Sequence, residues 1–190
     1  MKYRNTHRYI ALQLRHLTLV SMLAFGFIST PALAESLSPE MQAKVDIYQK
    51  KLTQWTKNPV LINALKDVNV KENSKLNNEQ WKSLKDQDPS VTSFQTNQAG
   101  RFLTNLENDK SIGKIFLRDS KGNLVAGSKK PAIFNIAGRP AYENAMRGKT
   151  WVAGNIKPDP TTNLKSVQLS APVMNDGKVI GVLHSSVIAE

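Results

Sequence analysis

The stretch KSVQLSAPVMNDGKVIGVLHSSVI, residues 165–188, contains the strongest signal for the fold. Its first part, 165–173, alternates apolar and polar side chains with a period of two, which is typical of a β-strand with one buried face. The residues NDG at 175–177 favour a tight hairpin turn. Residues 179–188 are apolar enough for a strand inside a sheet, so we predict a long antiparallel hairpin. Its apolar face comprises Val167, Leu169 and Ala171, and its polar face comprises Ser166, Gln168 and Ser170.

Shorter strands precede this hairpin. Ile115 and Leu117 alternate with Lys114, Phe116 and Arg118, and the turn-forming residues DSKGN follow them, so the pattern predicts a second β-hairpin. A segment with two prolines, 157–164, predicts a loop. Five antiparallel strands are therefore expected, at 115–118, 124–126, 150–154, 165–173 and 179–188, with a short helix at 140–146.

The chain before residue 111 has a helical period instead. Ser38 and Pro39 favour a helix start, because serine caps the first turn and proline fits its first position. Apolar residues then recur every three or four positions, which predicts a helix of about five turns. The members of this stripe are Met41, Val45, Tyr48, Leu52 and Trp55. We predict an α+β fold in which this long N-terminal helix packs on one face of the five-stranded antiparallel sheet.

Three further helices are expected in this front part. One follows the asparagine–proline pair at 58–59, and a short one is centred on Trp81. A single fourth helix is expected from about residue 88 to Leu106, with Gly100 weakening its middle.

The first 34 residues have the pattern of an export signal. Four basic residues precede an apolar run at 17–28, and an A-x-A site ends at Ala34. This run is shorter than the roughly 20 residues that span a bilayer. We therefore expect a secretory signal peptide at 1–34, cleaved after Ala34, and a periplasmic location in a Gram-negative cell; an uncleaved N-terminal anchor is the alternative. One domain is expected at 35–190, mainly helical at 35–110 and with the sheet and a pocket at 111–190.

Composition excludes several classes of function. The chain has 190 residues, 26 Lys+Arg against 15 Asp+Glu, and no cysteine, so disulfides, thiolate zinc sites and a cysteine nucleophile are excluded. Because the basic residues are scattered, nucleic-acid binding has little support. We expect no enzyme, cofactor or metal. His184, the one histidine beyond the predicted signal peptide, lies in a strand, and we expect it to be a hydrogen-bonded sheet residue.

Three motifs in order carry a resemblance to a known family. They are IFLRDSKGN at 115–123, RPAYENA at 139–145, and VQLSAPV followed by DGKVIGV, ending at 182. Together, behind a long helix, they resemble the extracellular PAS-like sensor domains called Cache or PDC domains. The resemblance covers 35–190 as a single module and implies a PAS-like sheet that binds a small ligand such as a carboxylate, amino acid or amine.

In that family the module usually belongs to a chemoreceptor, histidine kinase or cyclase. With a cleavable leader and no transmitter after the last strand, this chain resembles a free-standing exported form that signals through a separate membrane protein of that kind. A ligand-free adaptor of the cell envelope, with a pocket filled by side chains such as Phe116, Phe134 and Trp151, is the alternative. The family also implies a possible homodimer through the N-terminal helix.

The resemblance implies that Arg139 meets a ligand carboxylate, and the planar fork of donors on arginine suits a two-oxygen anion. Pairing with Glu143, four residues on, is the alternative for Arg139. Between Glu143 and Asp159 the sequence has no acidic residue to meet an ammonium, so a small carboxylate is favoured over an amino acid. The expected ligand-binding residues are Arg139, Tyr142, Trp151, Ser166, Gln168, Ser170 and Arg118, although a polar strand face can also be merely solvated.

Overall fold

Six antiparallel strands form one sheet in the second half of the chain. In this computed structural model, which describes residues 37–70 and 76–189, the strand order is β2-β1-β6-β5-β3, and β4 pairs with the outer part of β5. The strands are β1 Ile112–Asp119, β2 Leu124–Gly127, β3 Trp151–Val152, β4 Lys157–Pro158, β5 Lys165–Asn175 and β6 Lys178–Ile188. The predicted signal peptide lies outside the described residues.

The α+β prediction is confirmed, and the β5–β6 hairpin lies at the centre of the sheet, as expected. The sheet has one strand more than the five predicted. Two residues of the predicted loop, Lys157 and Pro158, pair with Ser166 and Lys165 and form β4. A proline is tolerated there because β4 is an edge strand.

Six helices surround the sheet in the described part of the chain. They are α1 Pro39–Trp55, α2 Pro59–Val70, α3 Asn78–Ser83, α4 Pro89–Thr96, α5 Gln98–Leu106 and α6 Pro140–Met146. The predicted cap is present, since the Ser38 side chain accepts a hydrogen bond from the Met41 N–H at 3.2 Å. None of the helices in these residues has both the length and the apolar character needed to cross a membrane.

The predicted fourth helix is in fact two helices. Asn97 is extended, with φ −65° and ψ 166°, and ends α4. Its side chain accepts a hydrogen bond from the Gly100 N–H at 2.7 Å and so caps α5. A Cβ at Gly100 would lie 2.4 Å from the Phe94 carbonyl oxygen, so only glycine allows the two helices to meet this closely.

The helical layer covers one face of the sheet. The stripe on α1 packs on β5 and β6, while α2 and α5 pack beside it on β1. Met41, Val45, Tyr48 and Leu52 are buried, as predicted. Ile47 keeps a large apolar side chain on α1 exposed, at 55 %. Dimerisation through this helix stays a prediction. Across from the stripe, the sheet contributes Ile115, Leu117, Val167, Leu169, Ala171 and Leu183 to the same core.

Two smaller clusters cover parts of the opposite face. Trp81, Phe94 and Phe134 meet with ring centroids 5.3–5.9 Å apart and pack on Phe116. The indole of Trp81 donates a hydrogen bond to the Pro131 carbonyl at 2.7 Å, which fixes the loop after β2. On the other side, α6 packs on β5 and β6. Between these clusters the sheet face is left open.

A methyl group added at Gly181 tests how tightly the helical layer is packed. The Cβ would lie 2.4 Å from the Arg118 carbonyl oxygen and 2.7 Å from the Leu65 side chain. We expect Gly181→Ala to lower the free energy of unfolding by about 1–3 kcal/mol in urea denaturation, because the core must shift. Gly154→Ala is the control, since nothing lies within 4 Å of its Cβ. Equal stability of the two variants would contradict the close packing.

Candidate ligand-binding cavity

The open part of the sheet is the floor of a cavity of about 410 Å³. The register of the strands explains which residues form this floor. Phe116 lies opposite His184. Lys114 and Gln168 lie on either side of Ser186. Ser166, Gln168 and His184 of β5 and β6 therefore face the cavity, while Val167, Leu169 and Leu183 of the same strands face the helical layer. The first turn of α6, the loop after β2 and the chain around β3 and β4 form the walls.

The structure brings five of the seven predicted site residues to this cavity: Arg118, Arg139, Trp151, Ser166 and Gln168. The other two, Tyr142 and Ser170, are buried beside it and hold α6 on the sheet. The Ser170 hydroxyl donates to the Ala141 carbonyl at 2.6 Å, and the Tyr142 hydroxyl donates to the Asp119 carbonyl at 3.3 Å. Burial and, to a lesser degree, the Asp119 charge raise the pKa of Tyr142 to about 12.

Arg139 immediately precedes α6 and its side chain is exposed at the cavity wall. Its guanidinium makes no hydrogen bond or ion pair within residues 37–70 and 76–189, so the alternative of pairing with Glu143 is not seen. Its donors are therefore available to a ligand.

Arg118 differs from Arg139, because its guanidinium is buried and engaged. It donates to the carbonyls of Phe134 and Ile133, which tie the loop after β2 to β1. Burial lowers the pKa of Arg118 to about 9, so the group stays protonated at neutral pH. Arg118 contributes positive charge to the cavity while serving as a structural anchor.

Lys114 and Asp159 form a buried ion pair that the sequence interpretation missed. The Lys114 Nζ lies 2.7 Å from the Asp159 Oδ2, and their side chains are 4 % and 0 % exposed. Asp159 also accepts a hydrogen bond from the Thr161 N–H at 2.8 Å, which shapes the loop after β4. Burial lowers the pKa of Lys114, and the Asp159 carboxylate opposes that shift. Lys114 alternates along β1 with the same period as Phe116 and Arg118, and this pattern could have placed it on the cavity face. No sequence pattern pointed to Asp159.

His184 lines the cavity floor and is 7 % exposed. The prediction of a hydrogen-bonded sheet residue is wrong, because neither ring nitrogen has a partner in the described residues. Burial, together with the charges of Lys114 and Arg118, lowers the pKa of His184 well below its usual value, so the ring is neutral at pH 7. The buried hydroxyls of Ser166 and Ser186 also have no partner in the described part of the chain.

A comparison with solved structures supports the fold. The sensor domain of the V. cholerae histidine kinase DctB is 18 % identical, with a TM-score of 0.55, over 77 % of this chain and 50 % of that one. The fold is that of a Cache-type sensor domain.

A second Cache-type structure is the ligand-binding domain of the Campylobacter jejuni chemoreceptor Tlp3 in complex with 4-methylisoleucine. It is 17 % identical, with a TM-score of 0.45, over 77 % of this chain and 54 % of that one. The chain thus spans about half of the length of both solved domains. No family model matches the sequence, and no curated protein matches it.

Within this Cache fold, the cavity is suited to an anion. Four cationic side chains line it, and no aspartate or glutamate among the described residues does. Its remaining lining is largely apolar, with the aromatic rings of Phe116 on the floor and Trp151 at the wall. In residues 37–70 and 76–189 no group of three or more metal-ligating side chains is found. The cations are Lys114, Arg118, Arg139 and Lys157.

The buried ion pair makes a testable contribution to stability. Lys114→Met leaves the Asp159 carboxylate buried without its partner, so we expect the free energy of unfolding to fall by about 3–5 kcal/mol in urea denaturation. Combining it with Asp159→Asn removes the unpaired charge and keeps an acceptor for the Thr161 N–H. We therefore expect the double variant to recover part of the loss. A single variant no less stable than the double variant would contradict this assignment.

Proposed function

We propose that this chain is an exported sensor module that binds a small carboxylate in the cavity. The observation that carries the proposal is the charge of the lining, with four cationic side chains and no acidic one among the described residues. An anion gains from this potential, and an ammonium is repelled by it.

The size of the cavity supports a ligand-binding role over the ligand-free adaptor. A volume of about 410 Å³ lies in the range of small-molecule sites in proteins. In the adaptor alternative, the pocket is filled by side chains such as Phe116, Trp151 and Phe134. In the structure Phe116 and Trp151 line an open cavity. The third, Phe134, packs in the aromatic cluster with Trp81.

Arg139 is the proposed anchor of the carboxylate. Lys114 is already paired with Asp159, and Arg118 is bonded to two carbonyl groups, whereas the Arg139 guanidinium keeps its donors. A guanidinium can bind both oxygens of a carboxylate with two parallel hydrogen bonds. Because Asp159 is committed to Lys114, no carboxylate lining the cavity among the described residues is left for the ammonium of an amino acid, which disfavours that class.

The signal would pass to a separate membrane protein, such as a histidine kinase, chemoreceptor or cyclase. The leader at 1–34 would deliver the module to the periplasm, where it meets small solutes and the outer domains of such receptors. The α1 surface, including the exposed Ile47, is available for contact with a partner or a second copy.

Ligand-induced thermal stabilisation tests the cavity and its anchor together. We expect butyrate, succinate or benzoate to raise the melting temperature, with about 2.7 kcal/mol of stabilisation at 100 times the dissociation constant, whereas butylamine does not. Arg139→Ala should abolish this shift. Arg147→Ala, which removes the same charge from an exposed position at the end of α6, should keep it. A shift that survives Arg139→Ala would discard the anchor, and no shift with any carboxylate would favour the adaptor.

The export step is tested by the mass of the mature protein. When the full chain is expressed in a Gram-negative host, we expect the periplasmic fraction to hold a protein that begins at Glu35, because Ala34 ends the A-x-A site. Intact-mass spectrometry of that fraction measures the start directly. A full-length mass in the membrane fraction would instead establish the uncleaved anchor.

A further inference from the structure

His184 has hydrogen-bonding capacity that the fold does not use. It is the largest polar side chain on the cavity floor without a partner in the described residues, where both of its ring nitrogens are buried and lack a hydrogen bond. A buried polar group left unpaired is unfavourable, because it has lost its hydrogen bonds to water. Native proteins rarely retain such a group without a reason, and on the floor of a cavity a ligand can supply the missing partner.

We propose that His184 forms a second subsite in the cavity, which binds an uncharged hydroxyl group of the ligand whose carboxylate lies at Arg139. The proposal rests on the proposed function and extends it to the ligand class. The ligand is then a hydroxy acid in which an apolar chain separates the carboxylate from the hydroxyl.

The register of the sheet places the two subsites within reach of one small molecule. His184 lies directly opposite Ser170 on the neighbouring strand. The Ser170 hydroxyl holds the Ala141 carbonyl of α6 at 2.6 Å, and Arg139 is two residues before Ala141. The first turn of α6 is therefore fixed over the row of the sheet that contains His184, while Ser166 lies four residues further along.

The chemistry of a neutral imidazole explains why a hydroxyl is selected. One ring nitrogen donates a hydrogen bond and the other accepts one. A hydroxyl pairs with either nitrogen, because it can donate and accept. A carboxylate can only accept, and an ammonium can only donate.

The cationic groups around the imidazole ring oppose an ammonium group at this position. Lys114 and Arg118 lie on the neighbouring strand and repel an ammonium at this position. Lys114 is paired with Asp159, and Arg118 donates to two carbonyl groups while its Nε has no partner in the described residues. A second carboxylate would lose its hydration here, and its attraction to Arg118 would have to offset that cost, which the comparison with succinate measures.

A matched series of four-carbon acids tests the subsite by isothermal titration calorimetry. Butyrate, 4-hydroxybutyrate and succinate share one carboxylate and chain length, and they differ in the far end, which is a methyl, a hydroxyl or a second carboxylate. We expect 4-hydroxybutyrate to bind about tenfold more tightly than butyrate, and more tightly than succinate. Pentanoate, 5-hydroxypentanoate and glutarate repeat the comparison with one more methylene.

Two variants assign the preference to the ring. His184→Leu should bring the affinities of 4-hydroxybutyrate and butyrate to within about twofold of each other. His184→Gln keeps a donor and an acceptor, so it should retain most of the preference. Retention by His184→Leu, or equal loss in both variants, would overturn the role of the ring.

Nitrogen NMR on the unmodified protein covers the case in which His184→Leu does not fold. His7 and His16 lie in the predicted signal peptide, so His184 is the one histidine of the sequence from 35 to 190. Its ring signals are therefore assigned directly in the cleaved protein. We expect 4-hydroxybutyrate to shift these ring nitrogen signals strongly, whereas butyrate shifts them little. Equal shifts with both acids would overturn the subsite.

Different binding results would overturn the hydroxyl subsite and the carboxylate sensor. If no acid of either length binds, the carboxylate sensor is overturned and the subsite falls with it. If the acids bind in a manner that depends on Arg139 but the hydroxyl gives no advantage, only the subsite is overturned.

Discussion

The central strands β1 and β6 are buried on both faces of the sheet, and this burial governs how the side chains around them are paired. On one face they meet the apolar stripes of α1, α2 and α5. On the other they carry polar side chains that α6 and the surrounding loops screen from bulk water. Since burying a polar group without a partner is unfavourable, each of these side chains needs a partner inside the protein or in the cavity.

The way in which this need is met separates structural from ligand-binding residues. Lys114 is paired with Asp159, Arg118 binds two carbonyl groups, and Ser170 holds α6. These contacts connect β1 and β5 to the loops and the helix that enclose the cavity. Arg139 and His184 have no such partner in the described residues, and they contribute a charged and a neutral hydrogen-bonding group to the same space.

Sequence patterns predicted most of the fold and part of the site. The alternation in β5, the turn after it and the stripe on α1 are local signals, and the structure contains each of them. The break at Asn97 was missed because an asparagine within a helical pattern becomes a cap only when the next helix turns away. Tyr142 and Ser170 were expected at the ligand, but their hydroxyls bond to backbone carbonyls that only the folded chain brings near.

By itself the sequence determined the order of helices and strands and which strand positions are apolar, because these depend on neighbours a few residues apart. It also contained the leader pattern, the lack of cysteine and an arginine before α6. The pairing of Lys114 with Asp159, and the lack of a partner for His184 among the described residues, arise only in the folded chain. Those outcomes depend on strand register and on loops that bring together residues far apart in the chain. Burial then strengthens each charge interaction and each hydrogen bond, because the local dielectric constant is low.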